Sequence, residues 1–281
     1  MDVNPNLKKI FSKKTYEYIQ MHIQLSQHAT GFAAKLEQNF DFQKLQAAQT
    51  AKEEVINSYI DATLACVMGK HGLITESIIN SLNRCDFLSF ALLARSNFEL
   101  IASLRHLMKK KIRPFAIKSS QVGTYKNEEL YSEVVEPLHR FLLGGRFDWE
   151  SWFQNEMAPW AKLAEMYENY HKNQSKNKSS TPWSEGMAQP SQTNIKTQVD
   201  DWAKEKPLFG AYYDVLCDLV HPNLGSNLLH AEINGHAVNF RNSQRANTLG
   251  CRIVEQVMPV HMAVSKQLST DVEHLIFMKM V

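Results

Sequence analysis

What this chain lacks narrows it first. Only four cysteines occur in 281 residues, Cys66, Cys85, Cys217 and Cys251, and they form no Cys-x-x-Cys pair. Neither a disulfide scaffold nor a cysteine-rich zinc site is expected from that spacing, and reduced thiols in a cytoplasmic protein are the simpler expectation. The formal charge of +2 is too near balance to argue by itself for a nucleic-acid or membrane partner. No apolar run approaches the ~20 residues that a membrane span needs, since the best, Phe87 to Ala94, is interrupted by Arg95. The amino terminus, Met1 to Ile10, lacks the apolar core of a secretory signal. There is no Gly-x-Gly-x-x-Gly, no phosphate loop ending in Gly-Lys-Ser/Thr, no Gly-x-Ser-x-Gly elbow and no His-Glu-x-x-His. Dinucleotide-binding, P-loop, α/β-hydrolase and zincin chemistries therefore have no motif to stand on.

What is present is helical periodicity in a chain of ordinary globular composition, 44% hydrophobic and 21% charged. Apolar positions at helical spacing run from about Lys8 to Glu37 and from Phe42 to Met68. Lys70-His-Gly72 is expected to end the second helix, with Gly72 as a left-handed cap, and Thr75-Glu-Ser to begin a third reaching about Lys110. Lys111 to Thr124 reads as a connector, and a helix from about Glu128 stops at Gly144-Gly145. Asp148 caps a segment to Tyr170 whose Trp149, Trp152, Phe153, Trp160, Leu163 and Tyr167 form a packing stripe. Residues 171–198 are a polar linker. A helix from Val199 to Val220 follows, then a β-hairpin over 228–241 built on Asn234-Gly235, then a last helix from about Ser243 to Met280. The expected fold is an all-α bundle with that small hairpin inserted. It forms a single domain with an N-terminal helical pair (1–70) and a core from 74–170 and 199–281.

One stretch gathers titratable groups at a defined backbone break. Pro222 pushes His221 out of the α region and ends the helix there. Asp214, Asp218 and His221 stand at i, i+4 and i+7, on one face. Asn223, Ser226 and Asn227, in the turn that follows, offer donors to a phosphate or carbonyl. A protonated His221 held by Asp218 would equally suit the helix dipole. The second patch is Arg95 and Glu99, at i, i+4 on a stripe that continues through Leu88, Ala91, Leu92 and Ala102 to His106. It reads either as an internal ion pair fixing a neighbouring helix or as a polar site inside the bundle shared with the His221 face. The basic run Arg105, Lys109, Lys110, Lys111, Arg113 and Lys118 could face RNA phosphates or simply be a solvated helix end. Glu136/His139 and Glu168/His171 match Glu-x-x-His spacing, but Pro137 and the polar linker argue against a metal, so neither metal nor cofactor is expected.

Taken together, Arg95-Ser-Asn-Phe-Glu99 and Leu216-Cys-Asp-Leu-Val-His-Pro222 resemble a set of bacterial all-helical proteins. These carry an Arg-Ser/Thr-x-x-Glu helix and a later helix ending in His-Pro, and are loosely HEPN-like (higher eukaryote and prokaryote nucleotide-binding). The resemblance implies a helical bundle, a homodimer, RNA or nucleotide as partner, and a defence- or toxin-type role as a metal-independent ribonuclease. The superfamily's Arg, separated from the His by four to six residues, is missing here, since Asp214, Val215 and Leu216 occupy those positions. On this reading His221 would be the general base on a ribose 2′-hydroxyl and Arg95 would stabilise the phosphorane. Glu99 and Asp218 would orient that pair, and His106, Asp214, Asn223, Ser226 and Asn227 would contact substrate. The competing reading is a non-catalytic, homodimeric interaction module in which Arg95, Glu99 and His221 only fix helix packing.

Overall fold

The computed structural model describes residues 2–37, 53–122, 131–143, 195–221, 232–234, 237–239 and 244–279. They form an all-helical bundle. A short α1 (Leu7–Ile10) leads into α2 (Lys13–Glu37), then α3 (Glu53–Asn83) and α4 (Phe87–Leu107). A π-helical turn, Met108–Ile112, joins α4 to α5 (Arg113–Val122), and a second, Tyr131–Val135, enters α6 (Glu136–Leu143). Then come α7 (Ile195–Glu205), α8 (Pro207–Val220) and the long α9 (Gln244–Met278). Of the hairpin expected over 228–241, two three-residue strands are described, β1 (Glu232–Asn234) and β2 (Ala237–Asn239), antiparallel with Ile233 opposite Val238. Its turn and flanks lie outside the described residues, as do the aromatic stripe at 149–170 and most of the polar linker.

Several boundaries differ from the sequence expectation, each for a local reason. Helix α3 does not stop at Lys70-His-Gly72. His71 and Thr75 are buried inside it, and Gly72 is a close-approach residue rather than a cap: a Cβ there would lie 2.4 Å from Thr30 Cγ2 of α2. The true break is Arg84-Cys85-Asp86. Cys85 takes a left-handed φ of 54°, and Asp86 caps α4 by accepting from the Ser89 N–H at 3.0 Å. The expected connector after Lys110 is helical. Pro114 has no N–H to give a regular turn, and the chain absorbs this with an i to i−5 bond from Arg113 N–H to the Met108 carbonyl. The single helix expected over 199–220 is two, because Pro207 restarts it at Lys206.

Helix α4 is the spine. Phe90, Ala94, Asn97, Ile101 and Leu104 recur at spacings of three and four and are wholly buried, facing α3, α8 and α9. Phe98 stacks on Trp202 of α7 at 5.1 Å and meets Tyr212 and Tyr213 of α8 at 5.8 and 5.3 Å, binding three helices through one ring. Burying each such ring contributes roughly 1.5–3 kcal/mol. The continuous stretch Phe87–Lys118 is long and apolar enough, by length and composition alone, to cross a membrane. Within the bundle its inner face is core.

The Gly72 contact predicts its own test. Gly72→Ala forces Thr30 away from α3 and should cost about 1–3 kcal/mol, read as a lower denaturation midpoint with unchanged helical circular dichroism. Adding Thr30→Ser, which removes the clashing methyl, should recover part of the loss; no recovery would show the contact is not the cause.

Candidate functional site

The Arg95 patch lies at the surface crossing of α4 and α8, not inside the bundle. Arg95 Nε donates to Glu99 Oε1 at 2.9 Å, and both side chains are about 30% exposed (29% and 30%). The Tyr213 hydroxyl donates to the same Glu99 oxygen at 2.9 Å, and the Arg95 guanidinium lies 5.7 Å from the Tyr213 ring. Burial, and then the bond to Glu99, hold the Tyr213 phenol well above its ordinary range. Cys217, one turn on from Tyr213, is pushed up chiefly by burial. The stripe expected to run through the core is in fact split. Ala91 and Ala102 are buried, whereas Leu88 and Leu92, which share the Arg95 and Glu99 edge, are 42% and 48% exposed.

Asp214, Asp218 and His221 are all exposed. His221 is the C-cap of α8, with extended backbone and its N–H bonded to the Cys217 carbonyl at 2.9 Å. Among the described residues no hydrogen bond or ion pair joins it to Arg95, Glu99 or Asp218. Asn223, Ser226 and Asn227 lie outside the described residues, as does the environment of His139. His106 belongs elsewhere: eleven residues past Arg95 on the same helix, it sits about 16 Å further along the axis.

At that end of α4 the basic run is largely neutralised by α7. Arg105 and Lys109 bond Glu205, the Arg105–Glu205 distance being 2.7 Å, and Lys110 and His106 face Asp201 at 3.5 and 3.7 Å. Glu205 is held below its usual range, first by the Lys109 bond. His106 is lowered by burial and then Lys110, against the pull of Asp201. These residues, with Trp202 and Gln198, line a shallow hollow. Lys111 turns instead to Glu133 at 3.8 Å. Arg113 donates to the His274 ring on α9 and lies 3.9 Å from the buried carboxylate of Asp271. Burial raises the Asp271 pKa against the nearby arginines.

The strongest polar grouping was not singled out from sequence. His22 of α2, His71 of α3, Asn97 of α4, Tyr212 of α8 and His261 of α9 are all buried. His71 Nδ1 bonds Asn97 Oδ1 at 2.7 Å, His261 Nδ1 bonds the Tyr212 hydroxyl at 2.6 Å, and the His22 and His261 rings lie 4.7 Å apart. A signal existed: His22/Ser26, His71/Thr75 and His261/Ser265 each put a histidine and a hydroxyl one turn apart on otherwise apolar stripes. Among the described residues no three His, Cys, Asp or Glu side chains are grouped to hold a metal ion.

No family model matches the chain, and neither does a curated protein or a solved structure.

Because Arg95 and Glu99 are part-exposed, their mutual coupling should be small. A double-mutant cycle of Arg95→Ala and Glu99→Ala should give less than about 1 kcal/mol, falling with salt. Tyr213→Phe should cost about 0.5–1.5 kcal/mol through the lost bond to Glu99. A coupling well above that limit would mean that the pair is sealed from solvent.

Proposed function

We propose that this chain is a HEPN-like helical interaction module that works as a homodimer, with the α4–α8 network fixing helix packing at the interface rather than performing catalysis. The observation that carries this is the state of Arg95. Its Nε is bonded to Glu99, its guanidinium lies beside Tyr213, and Glu99 also accepts from Tyr213. The guanidinium is tied through Nε to Glu99, and no hydrogen bond or ion pair among the described residues joins it to His221, which weighs against the ribonuclease reading. Leu88 and Leu92, exposed on the same edge of α4, supply apolar surface suited to a second copy of the chain. The neutralised cations of the α4–α7 end likewise weaken an RNA-backbone role there. In this proposal the protein is cytoplasmic, and the small hairpin over 228–241 is an insertion between α8 and α9 in the chain.

One observation favours a second reading, the metal-independent ribonuclease of defence or toxin type. An arginine and a histidine from different helices, Arg113 and His274, do meet in space, with Asp271 behind them.

Sedimentation equilibrium of the wild type and of Leu88→Glu/Leu92→Glu tests the dimer. A wild-type dimer and a monomeric, fully helical variant are expected; a monomeric wild type would overturn the proposal. Incubation with total RNA in EDTA tests the second reading. Arg95→Ala/His221→Ala and Arg113→Ala/His274→Ala are run beside the wild type. No cleavage by any is expected. Cleavage abolished by either pair would replace the interaction module with a nuclease and say which pair carries it.

A further inference from the structure

A layer of neutral histidines through the middle of a bundle is unusual enough to need a reason. Every long helix contributes to it: His22 from α2, His71 from α3, Asn97 from α4, Tyr212 from α8 and His261 from α9. His22 and His261 are wholly buried and His71 nearly so, and each is followed one turn later by a buried hydroxyl, Ser26, Thr75 or Ser265. The layer is under-satisfied. Among the described residues neither ring nitrogen of His22 has a hydrogen-bond partner, nor does His261 Nε2, Asn97 Nδ2, Thr75 Oγ1 or Ser265 Oγ. A hydrophobic residue at any of these positions would avoid the cost of burying an unpaired polar group.

We propose that this layer is a proton-sensitive latch: uptake of protons by His22, His71 and His261 forces α2, α3 and α9 apart and releases α8 from its inner anchor at Tyr212. Three imidazolium ions cannot share this space. The groups that bear on them from the surrounding helices are one another, Asn97 and Tyr212, with no carboxylate among the described residues to neutralise the charge. Burial holds all three histidines below their ordinary range, His261 down to about 3. Repulsion by His261 and His71 adds to it at His22 and by His71 at His261, whereas at His71 the Asn97 bond works against it. The sign follows. In the folded state these rings stay neutral as pH falls through 6.5, whereas in the unfolded chain they gain protons there. Stability is therefore full above pH 6.5 and is lost progressively below it. Two other groups titrate nearby. His106 is also lowered and acts in the same direction; Asp271 is raised and acts in the opposite one.

The test is urea unfolding at pH 7.5, 6.0 and 5.0 in a His106→Gln background, which removes that contribution. With up to three protons taken up on opening and an unfolded histidine value of about 6.5, the folded-to-unfolded ratio should fall by up to about 500-fold between pH 6 and pH 5. Adding His22→Phe, ring for ring, should make the fall about eightfold smaller, and the exposed control His28→Gln should leave it unchanged. Asp271 is common to all variants and cancels. Should His22→Phe fail to fold, histidine proton NMR of the wild type decides: three rings that stay neutral while the protein remains folded support the latch. Equal pH slopes in wild type and His22→Phe, rings that titrate near 6.5 in the folded protein, or stoichiometric metal bound to the purified protein would each overturn it.

Discussion

The stack of Phe98 on Trp202 is the contact on which the rest of this architecture depends. It fixes α7 against α4, and the neighbouring edge contacts with Tyr212 and Tyr213 fix α8 to the same point. Trp202 is further enclosed by Phe209 at 4.9 Å and covered by Arg105 at 5.4 Å. Because α8 is pinned here, its two consecutive tyrosines are divided between environments. Tyr212 points inward to His261 and Tyr213 sideways to Glu99. One aromatic anchor thus sets both the interior polar layer and the surface network.

The two networks obey different physics. The outer one is shared with water, so its charges are screened and its contribution to stability is small. The inner one is buried, so a polar atom in it must find a partner or bear the cost of desolvation. The surface network is therefore tolerant and the inner layer is not. This difference, more than residue identity, separates a feature that fixes packing from one that can respond to conditions.

The all-helical class was legible because apolar residues recur at spacings of three and four along much of the chain, and the Arg95–Glu99 pair because helical geometry alone puts i and i+4 together. What failed to show was whatever depends on partners distant in sequence. Gly72 looks like a stop until Thr30 is beside it. His71 looks like part of that stop until Asn97 reaches it. Arg95 and Glu99 looked interior because Leu88 and Leu92 are apolar, yet those leucines face outward. The histidine layer was hidden for a related reason: one polar residue on an apolar stripe is unremarkable in each helix, and only their convergence gives it meaning. The boundary at Lys206, by contrast, was present locally in Pro207 and was outweighed by the apolar run that follows it.

The widened turn at Met108–Ile112 sets the angular phase of everything after it. An α-helix advances about 100° per residue, so one extra residue in that turn rotates the following side chains by that angle relative to an unbroken helix. Lys109 and Lys110 consequently reach α7 while Lys111, the next residue, reaches Glu133, and Arg113 comes round to face α9. In this run length matters more than identity. Exchanging one lysine for another long side chain leaves the phase intact, whereas deleting a single residue turns Arg113 away from His274 and Asp271 and leaves that buried carboxylate to Arg105 alone among its arginines.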